Sequence, residues 1–118
     1  MYLRQGAYLL HGDYYPASWL KTAKGIQIID PEFCCYGLRE FDVAVFIAHL
    51  HLTKQPQAII DSVLTNYYDA KGLNMAVLHQ FIAVEIMRRL IGLAQLPLKM
   101  DLGDKAKLLQ FAYTLIMK

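Results

Sequence analysis

The sequence predicts an α+β domain that is mainly helical, with one small β-hairpin ahead of the helices. Between residues 41 and 117, apolar side chains recur every three to four positions, which is the spacing of amphipathic or buried helices. Before residue 41, short β-prone segments alternate with glycine and proline, which favours strands and turns. With 118 residues, the chain is long enough for one hydrophobic core and short for a second domain.

The predicted strands are short apolar segments bounded by glycine or proline; they cover residues 8–10, 18–20 and 26–29. Gly25 lies in the short connection between the last two strands, so these two are predicted to form a hairpin. Gly12 and Pro16 follow the first strand and predict a loop there, and Pro31 ends the last strand.

The predicted helices cover residues 41–52, 56–71, 73–95 and 105–117. Gly72 is expected to cap the C-terminus of the second helix, and Pro97 is expected to end the third because it lacks a backbone N–H. Asp101 and Asp104 are candidate N-caps of the fourth helix. The helices are therefore expected to form a scaffold behind the N-terminal loop and hairpin.

The composition argues against nucleic-acid binding and suggests that part of the surface contacts a partner. The chain is 56% hydrophobic and 19% charged, with a mean hydropathy of +0.26, which is apolar for so small a domain. Part of the surface is therefore expected to contact a partner. The net charge is only +2 and the charges are interspersed, so nucleic acid is not an expected partner.

No apolar run approaches the roughly 20 residues of a membrane span, and the first residues lack the apolar segment of a signal peptide. The expected location is the cytoplasm, with no membrane partner. Cys34 and Cys35 are adjacent, a spacing that rarely permits a disulfide, so both are expected to be reduced and buried.

The residues that suggest chemistry lie between positions 11 and 42. Asp13 follows His11 on a predicted turn, and Ser18 supplies an oxygen five positions later. The catalytic loop of protein kinases has this layout: its aspartate accepts the proton of the substrate hydroxyl, and an oxygen ligand further along reaches a magnesium ion.

A second acidic pair, Asp30 and Glu32, follows the hairpin. Carboxylates two positions apart on a turn can converge on Mg²⁺, which prefers oxygen ligands and substrate phosphates. Phosphoryl transfer depends mainly on positioning and charge neutralisation, so a base and a carboxylate-held magnesium ion are the parts it requires. The lack of a His-rich or Cys-rich ligand set argues against a different metal-dependent or hydrolytic activity.

These motifs carry a resemblance to a known family. Leu-His-Gly-Asp at residues 10–13, with Pro16, and Ile-Ile-Asp-Pro-Glu-Phe at residues 28–33 resemble the paired signature of aminoglycoside phosphotransferases, choline kinases and their relatives. Within this superfamily, residues 30–42 and the paired-arginine segment at 85–94 are most similar to methylthioribose kinases.

The resemblance implies the C-terminal lobe of a protein-kinase-like phosphotransferase fold, and it implies roles for individual residues. These are Asp13 as catalytic base, Asp30 and Glu32 with Ser18 as magnesium ligands, Arg88 and Arg89 as substrate contacts, and His11 and Asp42 as supports of the catalytic loop. A helical arginine pair can also simply solvate a helix face, so the residues alone leave the roles of Arg88 and Arg89 open.

The resemblance further implies that residues 1–118 form one catalytic lobe, with the catalytic loop and metal-binding hairpin in 1–40 and a helical subdomain in 41–118. ATP, Mg²⁺ and a small hydroxylated molecule are the implied co-substrate, cofactor and acceptor. No glycine-rich phosphate-binding pattern occurs in the sequence, so the N-terminal ATP-binding lobe is expected to be absent. The missing lobe or a second copy of the chain is then an expected partner.

Two questions stay open at the level of sequence. Tyr15 and the pair Leu38 and Arg39 depart from the family pattern, which leaves the acceptor open among methylthioribose, aminoglycosides, choline and other amino alcohols. The alternative to a kinase lobe is a truncated, inactive lobe that serves as an interaction module. The intact acidic residues argue against that alternative.

Overall fold

A computed structural model describes residues 6, 8–67, 70–91 and 101–117. Within them the strands are β1 (Tyr8–Leu10), β2 (Trp19–Thr22), β3 (Gly25–Ile28) and β4 (Cys35–Gly37). The helices are α1 (Glu40–Leu52), α2 (Gln57–Asn66), α3 (Met75–Leu90) and α4 (Leu102–Ile116). The fold is therefore α+β and mainly helical, as predicted.

The strands form two small antiparallel pairs. β2 and β3 make the predicted hairpin, in which Trp19 is opposite Ile28. β1 pairs with β4, with Leu10 opposite Cys35. Because β1 leads into one loop and β4 follows the turn at 31–33, this second pairing brings the two predicted chemical segments to the same end of the molecule.

The core lies among the helices. α3 packs against both α1 and α4. The buried side chains of this core include Ala44, Ile47, Ala48, Leu52, Leu78, Phe81, Ile86, Leu90, Ala112 and Leu115. α1 buries residues around most of its circumference, as expected for a helix in the centre of a domain. It therefore provides a rigid base for the N-terminal loops.

Several boundaries differ from the predictions. α2 ends at Asn66, so Gly72 is not its C-cap and instead ends a short 3-10 turn at Ala70–Gly72. α3 ends at Leu90 because Ile91 takes an extended conformation, with φ −133° and ψ 163°. The predicted continuation at 92–95, and Pro97, lie outside the described residues. Asp101 is the N-cap of α4, and its side chain accepts the amide of Asp104.

The prediction that the cysteines are buried was wrong. Cys34 and Cys35 are both free thiols, as expected, but both are exposed. Cys35 belongs to β4, a strand that the sequence analysis did not predict, and its sheet has only two strands, so little covers it. None of the helices in the described ranges combines the length and apolar character that a membrane span requires.

Candidate functional site

The loop after β1 is fixed to α1 by one carboxylate. Asp42 Oδ2 accepts the backbone N–H of His11 at 2.7 Å, and Asp42 Oδ1 accepts that of Gly12 at 3.0 Å. Hydrogen bonds to a charged acceptor are each worth about 1.5–3 kcal/mol. Since α1 is anchored in the core, these bonds give the loop a fixed position relative to the helices.

The His11 side chain joins this loop to the end of the hairpin. Its Nε2 lies 2.7 Å from the carbonyl oxygen of Ile29, and its Nδ1 accepts the backbone N–H of Asp13 at 3.2 Å. Both contacts are satisfied by the tautomer that carries its proton on Nε2. The imidazole therefore ties Asp13 to the residue that precedes Asp30.

Gly12 allows the loop to approach the turn that follows the hairpin. Its φ is +89°, a region that L-residues with a side chain rarely adopt. A Cβ at this position would lie 2.3 Å from the carbonyl oxygen of Phe33. The glycine is therefore required both by its backbone angles and by the close contact between the two segments.

Ser18 is buried beneath the loop, with 4% of its surface exposed. Its hydroxyl donates to the carbonyl oxygen of Asp13 at 3.0 Å, and its own carbonyl accepts the N–H of Ile29 at 2.8 Å. The serine thus orders the backbone of the loop after β1 and connects it to the hairpin. Its oxygen retains lone pairs beyond the bond that it donates.

Asp30 and Glu32 both lie exposed at the end of the hairpin. Asp30 precedes the 3-10 turn Pro31–Phe33, which contains Glu32. Asp30 has a left-handed backbone, with φ 57° and ψ 54°, although it precedes proline, which disfavours helical conformations. Such a conformation costs roughly 1–3 kcal/mol, and aspartate tolerates it better than most residues.

These two residues fit a magnesium ion by their chemistry. Mg²⁺ is commonly bound through one or two carboxylates, keeping water and substrate phosphates as its other ligands. Within the described ranges, no group of three or more His, Cys, Asp or Glu residues is arranged to hold a metal. The two carboxylates suit a cation that takes its other ligands from water and a substrate.

A partly buried ion network from α3 reaches Asp13. Arg89 Nη2 donates to Asp13 Oδ1 at 3.1 Å, and Arg89 Nε donates to Glu85 Oε1 at 2.9 Å. Arg88 binds the same glutamate through Nε and Nη2, both at 3.0 Å. The two arginines therefore lie at one end of α3, and both are held by Glu85.

Glu85 is ionised despite being 1% exposed. Burial by itself raises the pKa of this carboxyl, but its contacts with His49, Arg88 and Arg89 outweigh that effect and lower the pKa to about 2. His49 Nε2 lies 3.5 Å from Glu85 Oε1, and its alignment does not meet hydrogen-bond geometry, so we treat it as an electrostatic contact. The two arginines donate three hydrogen bonds to this carboxylate.

Aromatic rings complete the network on one side. Tyr15 stacks on His49, with ring centroids 4.3 Å apart. The guanidinium of Arg89 lies 5.4 Å from the centroid of the Tyr15 ring, within the range of a cation–π interaction. Tyr15, which departs from the family pattern, therefore contacts the residues that hold Asp13.

A cavity of about 450 Å³ opens beside Asp13. Its lining combines polar and aromatic side chains: Gly12, Asp13, Phe33, Phe41, Glu85, Arg88 and Arg89. The structure thus brings Asp13, Arg88 and Arg89 to one cavity, with His11, Ser18 and Asp42 fixing the loop that carries Asp13. Asp30 and Glu32 do not line this cavity, and they connect to it through His11 and Phe33.

Sequence reasoning missed Glu85 as part of the site. The signal was present, because a glutamate three and four positions before two arginines lies on the same face of a helix as both. It also missed the contact of Tyr15 with Arg89, for which the sequence carries no local signal. The requirement for Gly12 could be inferred only as part of a turn.

The chain matches the sequence profile of one known protein family. A sequence profile of the phosphotransferase enzyme family, the aminoglycoside-phosphotransferase type, matches residues 3–81. This range is more than half of the chain and contains the loop after β1, the hairpin and α1. The chain belongs to this family, which implies a kinase-like fold.

The similar curated proteins are methylthioribose kinases. One from Exiguobacterium sibiricum is 43% identical over 56 residues, which are 48% of this chain and 14% of that protein. One from a Geobacillus species is 30% identical over an alignment of 141 positions that covers 92% of this chain and 35% of that protein. One from Geobacillus kaustophilus is 33% identical over 125 positions, covering 79% and 32%. This chain thus spans about a third or less of the length of these relatives.

Proposed function

We propose that this chain is the C-terminal catalytic lobe of an ATP-dependent small-molecule kinase that works in the cytoplasm. In this proposal, residues 1–40 carry the catalytic loop and the metal-binding hairpin, and residues 41–118 form the helical subdomain. The kinase transfers the γ-phosphate of ATP to a hydroxyl of a sugar-like molecule, with methylthioribose as the first candidate. The observation that carries the proposal is that Asp13 accepts a hydrogen bond from Arg89 beside a cavity lined by basic and aromatic side chains.

Asp13 is proposed as the base. A carboxylate beside the acceptor cavity can accept the proton of the hydroxyl as its oxygen attacks phosphorus. The backbone N–H groups of His11 and Gly12 donate to Asp42, and these bonds fix the position of the loop that carries Asp13. Such fixed positioning is the main contribution that a protein makes to phosphoryl transfer.

Asp30 and Glu32 are proposed as magnesium ligands, with Ser18 contributing an oxygen lone pair. When bound, Mg²⁺ would supply positive charge to the phosphate oxygens of ATP. The left-handed backbone of Asp30 supports this proposal, because strained conformations of non-glycine residues concentrate at functional sites. His11 links this turn to Asp13, so the metal and the base would move as one unit.

The cavity beside Asp13 suggests the chemistry of the acceptor. Arg88 and Arg89 provide donors for hydroxyl oxygens, whereas Phe33 and Phe41 provide an apolar wall. A sugar with an apolar substituent matches this combination, and the relatives are named methylthioribose kinases. An aminoglycoside, choline or another amino alcohol is a poorer match, because each brings a cation toward the two arginines.

The N-terminal strands support the proposal that a second lobe completes the enzyme. Large apolar side chains are exposed there: Leu9, Leu20, Ile26, Ile28, Phe33 and Tyr36 are each 51–68% exposed. Exposed apolar groups that cluster in one part of a protein often mark an interaction surface. The proposed partner is an ATP-binding lobe, with a second copy of this chain as the other candidate.

The same surface supports the alternative function, a non-catalytic interaction module. An inactive lobe would use the apolar strands to bind a partner without turning over ATP. The alternative does not need the pairing of Asp13 with Arg89 or the strained backbone of Asp30. We therefore favour the kinase lobe.

A phosphorylation assay tests the proposal. The chain is incubated with methylthioribose and Mg²⁺·ATP, and phosphorylated sugar is followed by ³¹P NMR. We expect slow product formation that Asp13→Asn reduces by about 10²–10⁴-fold, the usual contribution of a general base. The matched control is Asp61→Asn, an exposed aspartate on α2, which should retain the wild-type rate. Equal rates in the wild type and Asp13→Asn would favour the interaction module.

A further inference from the structure

The two arginines at the end of α3 have different environments. The side chain of Arg89 is 10% exposed, and it bridges Glu85 and Asp13. The side chain of Arg88 is 46% exposed and is bound to Glu85 through two of its nitrogens. Adjacent residues on a helix diverge by about 100°, so one helix face cannot present both arginines equally to the cavity. Glu85 is the residue that contacts both.

The geometry of Arg89 restricts how it contacts Asp13. An arginine facing a carboxylate tends to form two parallel hydrogen bonds, which occupy both oxygens. Here Arg89 Nε is already engaged by Glu85 Oε1, and the hydrogen bond to Asp13 runs from Nη2 to Oδ1. Oδ2 of Asp13 takes no part in that bond. A base requires such an oxygen, because it must accept a hydroxyl hydrogen from the acceptor.

We propose that Glu85 is a positioning residue that holds Arg89 in a single-oxygen contact with Asp13 and fixes Arg88 at the mouth of the acceptor cavity. This inference rests on the proposed function, which supplies the role of Asp13. Arg89 then orients the base, and Arg88 is the arginine that meets the acceptor. Glu85 itself does not act on the reacting atoms.

The position of Glu85 favours this role over simple stabilisation of the fold. The two oxygens of this glutamate receive three hydrogen bonds from two arginines, so one carboxylate fixes the orientation of both guanidinium groups. Arg89 also contacts the ring of Tyr15, which stacks on His49, so the guanidinium is held by this aromatic contact as well. Loss of the glutamate would leave Arg89 able to turn its Nε toward Asp13.

The test compares Glu85→Gln with Glu40→Gln in the full chain. Glu40 is a matched control, because it is also a buried glutamate and accepts one hydrogen bond, from the backbone N–H of Asn74. The readout is the rate at which the Nε–H protons of Arg88 and Arg89 exchange with water, followed by ¹⁵N NMR. This readout reports on the arginines directly and does not require enzymatic activity.

We expect the Arg89 and Arg88 Nε–H protons to exchange at least about tenfold faster in Glu85→Gln, as loss of a charge-assisted hydrogen bond implies. In Glu40→Gln they should exchange at the wild-type rate. If Glu85→Gln does not fold, Glu85→Asp serves instead, because it keeps the charge but is too short to hold both arginines. Protection of Arg89 that persists in a folded Glu85 variant would overturn the inference.

Binding of methylthioribose, measured by calorimetry, separates this inference from the proposed function. We expect the affinity to fall about tenfold or more in Glu85→Gln and to be retained in Glu40→Gln. Equal affinity in the wild type and a Glu85→Gln variant whose arginines have lost protection would overturn the role of Arg88 at the cavity mouth. If the wild type binds no methylthioribose, the proposed acceptor fails, and the exchange rates still decide whether Glu85 holds the arginines.

Discussion

Arg89 and Asp13 are far apart in the chain, yet Arg89 Nη2 lies 3.1 Å from Asp13 Oδ1. This ion pair joins the end of α3 to the loop after β1, so it connects the helical core to the candidate site. Arg89 is 9% exposed and is also bound to Glu85, so its side of the pair is buried and depends on the packing of α3.

Replacing Asp42 should destabilise the loop after β1 and lower the stability of the protein. Asp42→Ala removes the acceptor of two backbone N–H groups, those of His11 and Gly12, and should lower the free energy of unfolding by roughly 3 kcal/mol. Urea denaturation measures this change. The control is Asp61→Ala, whose exposed carboxylate accepts only a side-chain bond from Gln57 and should change stability by less than about 0.5 kcal/mol. Equal effects would contradict the role of Asp42.

Two glycine substitutions separate backbone strain from close contact. Gly12→Ala and Gly25→Ala both place a side chain at positive φ, +89° and +107°. A Cβ at Gly12 would collide with the carbonyl of Phe33, whereas a Cβ at Gly25 meets no atom within 4 Å. Gly25→Ala should therefore lower the free energy of unfolding by about 1–2 kcal/mol, the penalty for a left-handed backbone. Gly12→Ala should lower it by clearly more. Thermal unfolding of both variants measures the difference, and equal costs would show that the contact with Phe33 is unimportant.

The buried Glu85 makes stability depend on acid pH. Its pKa is lowered from the ordinary 4.5 to about 2, so the folded state favours the ionised carboxylate. This stabilisation is fully present above pH 4.5 and is lost as the pH falls toward 2; by linkage it amounts to roughly 3 kcal/mol. Glu85→Gln should therefore show a smaller loss of stability than the wild type between these pH values. Parallel pH profiles would contradict the assignment of an ionised Glu85.

The exposed ion pair between Lys54 and Asp104 should contribute little by comparison. It connects the end of α1 to the first turn of α4, and the hydrogen bond from Lys54 lowers the pKa of Asp104. Exposed pairs typically stabilise proteins by less than about 1 kcal/mol and are screened by salt. Lys54→Ala should change the melting temperature only slightly, and 0.5 M salt should remove the difference. A large effect that persists in salt would contradict this view.

Local patterns predicted most of the fold. The hairpin, α1 and α4 follow from hydrophobic spacing and turn residues, which are local signals. β4 could not be predicted in the same way, because Cys35–Gly37 becomes a strand only by pairing with β1, which is distant in sequence. The early end of α3 at Leu90 was missed because the apolar spacing continues beyond it, although Gly92, directly after the C-cap Ile91, is a helix-end signal in the sequence.

Candidate site residues could be proposed from the sequence where they lie in motifs. Asp13, Asp30 and Glu32 are adjacent to turn signals and belong to short spaced patterns. The geometry that relates them to α3 depends on tertiary packing, and no spacing in the sequence specifies the contact between Arg89 and Asp13. Glu85 was overlooked because a glutamate in a predicted helix is normally expected to be exposed. Its burial between two arginines becomes visible only in the folded structure.

Calorimetry of Mg²⁺·ATP binding tests the central claim most directly, by comparing the chain with Asp30→Asn and Asp61→Asn. Asparagine tolerates left-handed backbone as aspartate does, so Asp30→Asn should keep the turn and remove only the charge. We predict weak, magnesium-dependent binding that Asp30→Asn abolishes and Asp61→Asn retains. Binding that is equally strong in Asp30→Asn, or independent of Mg²⁺, would contradict the proposal that this chain is a metal-assisted phosphotransferase lobe.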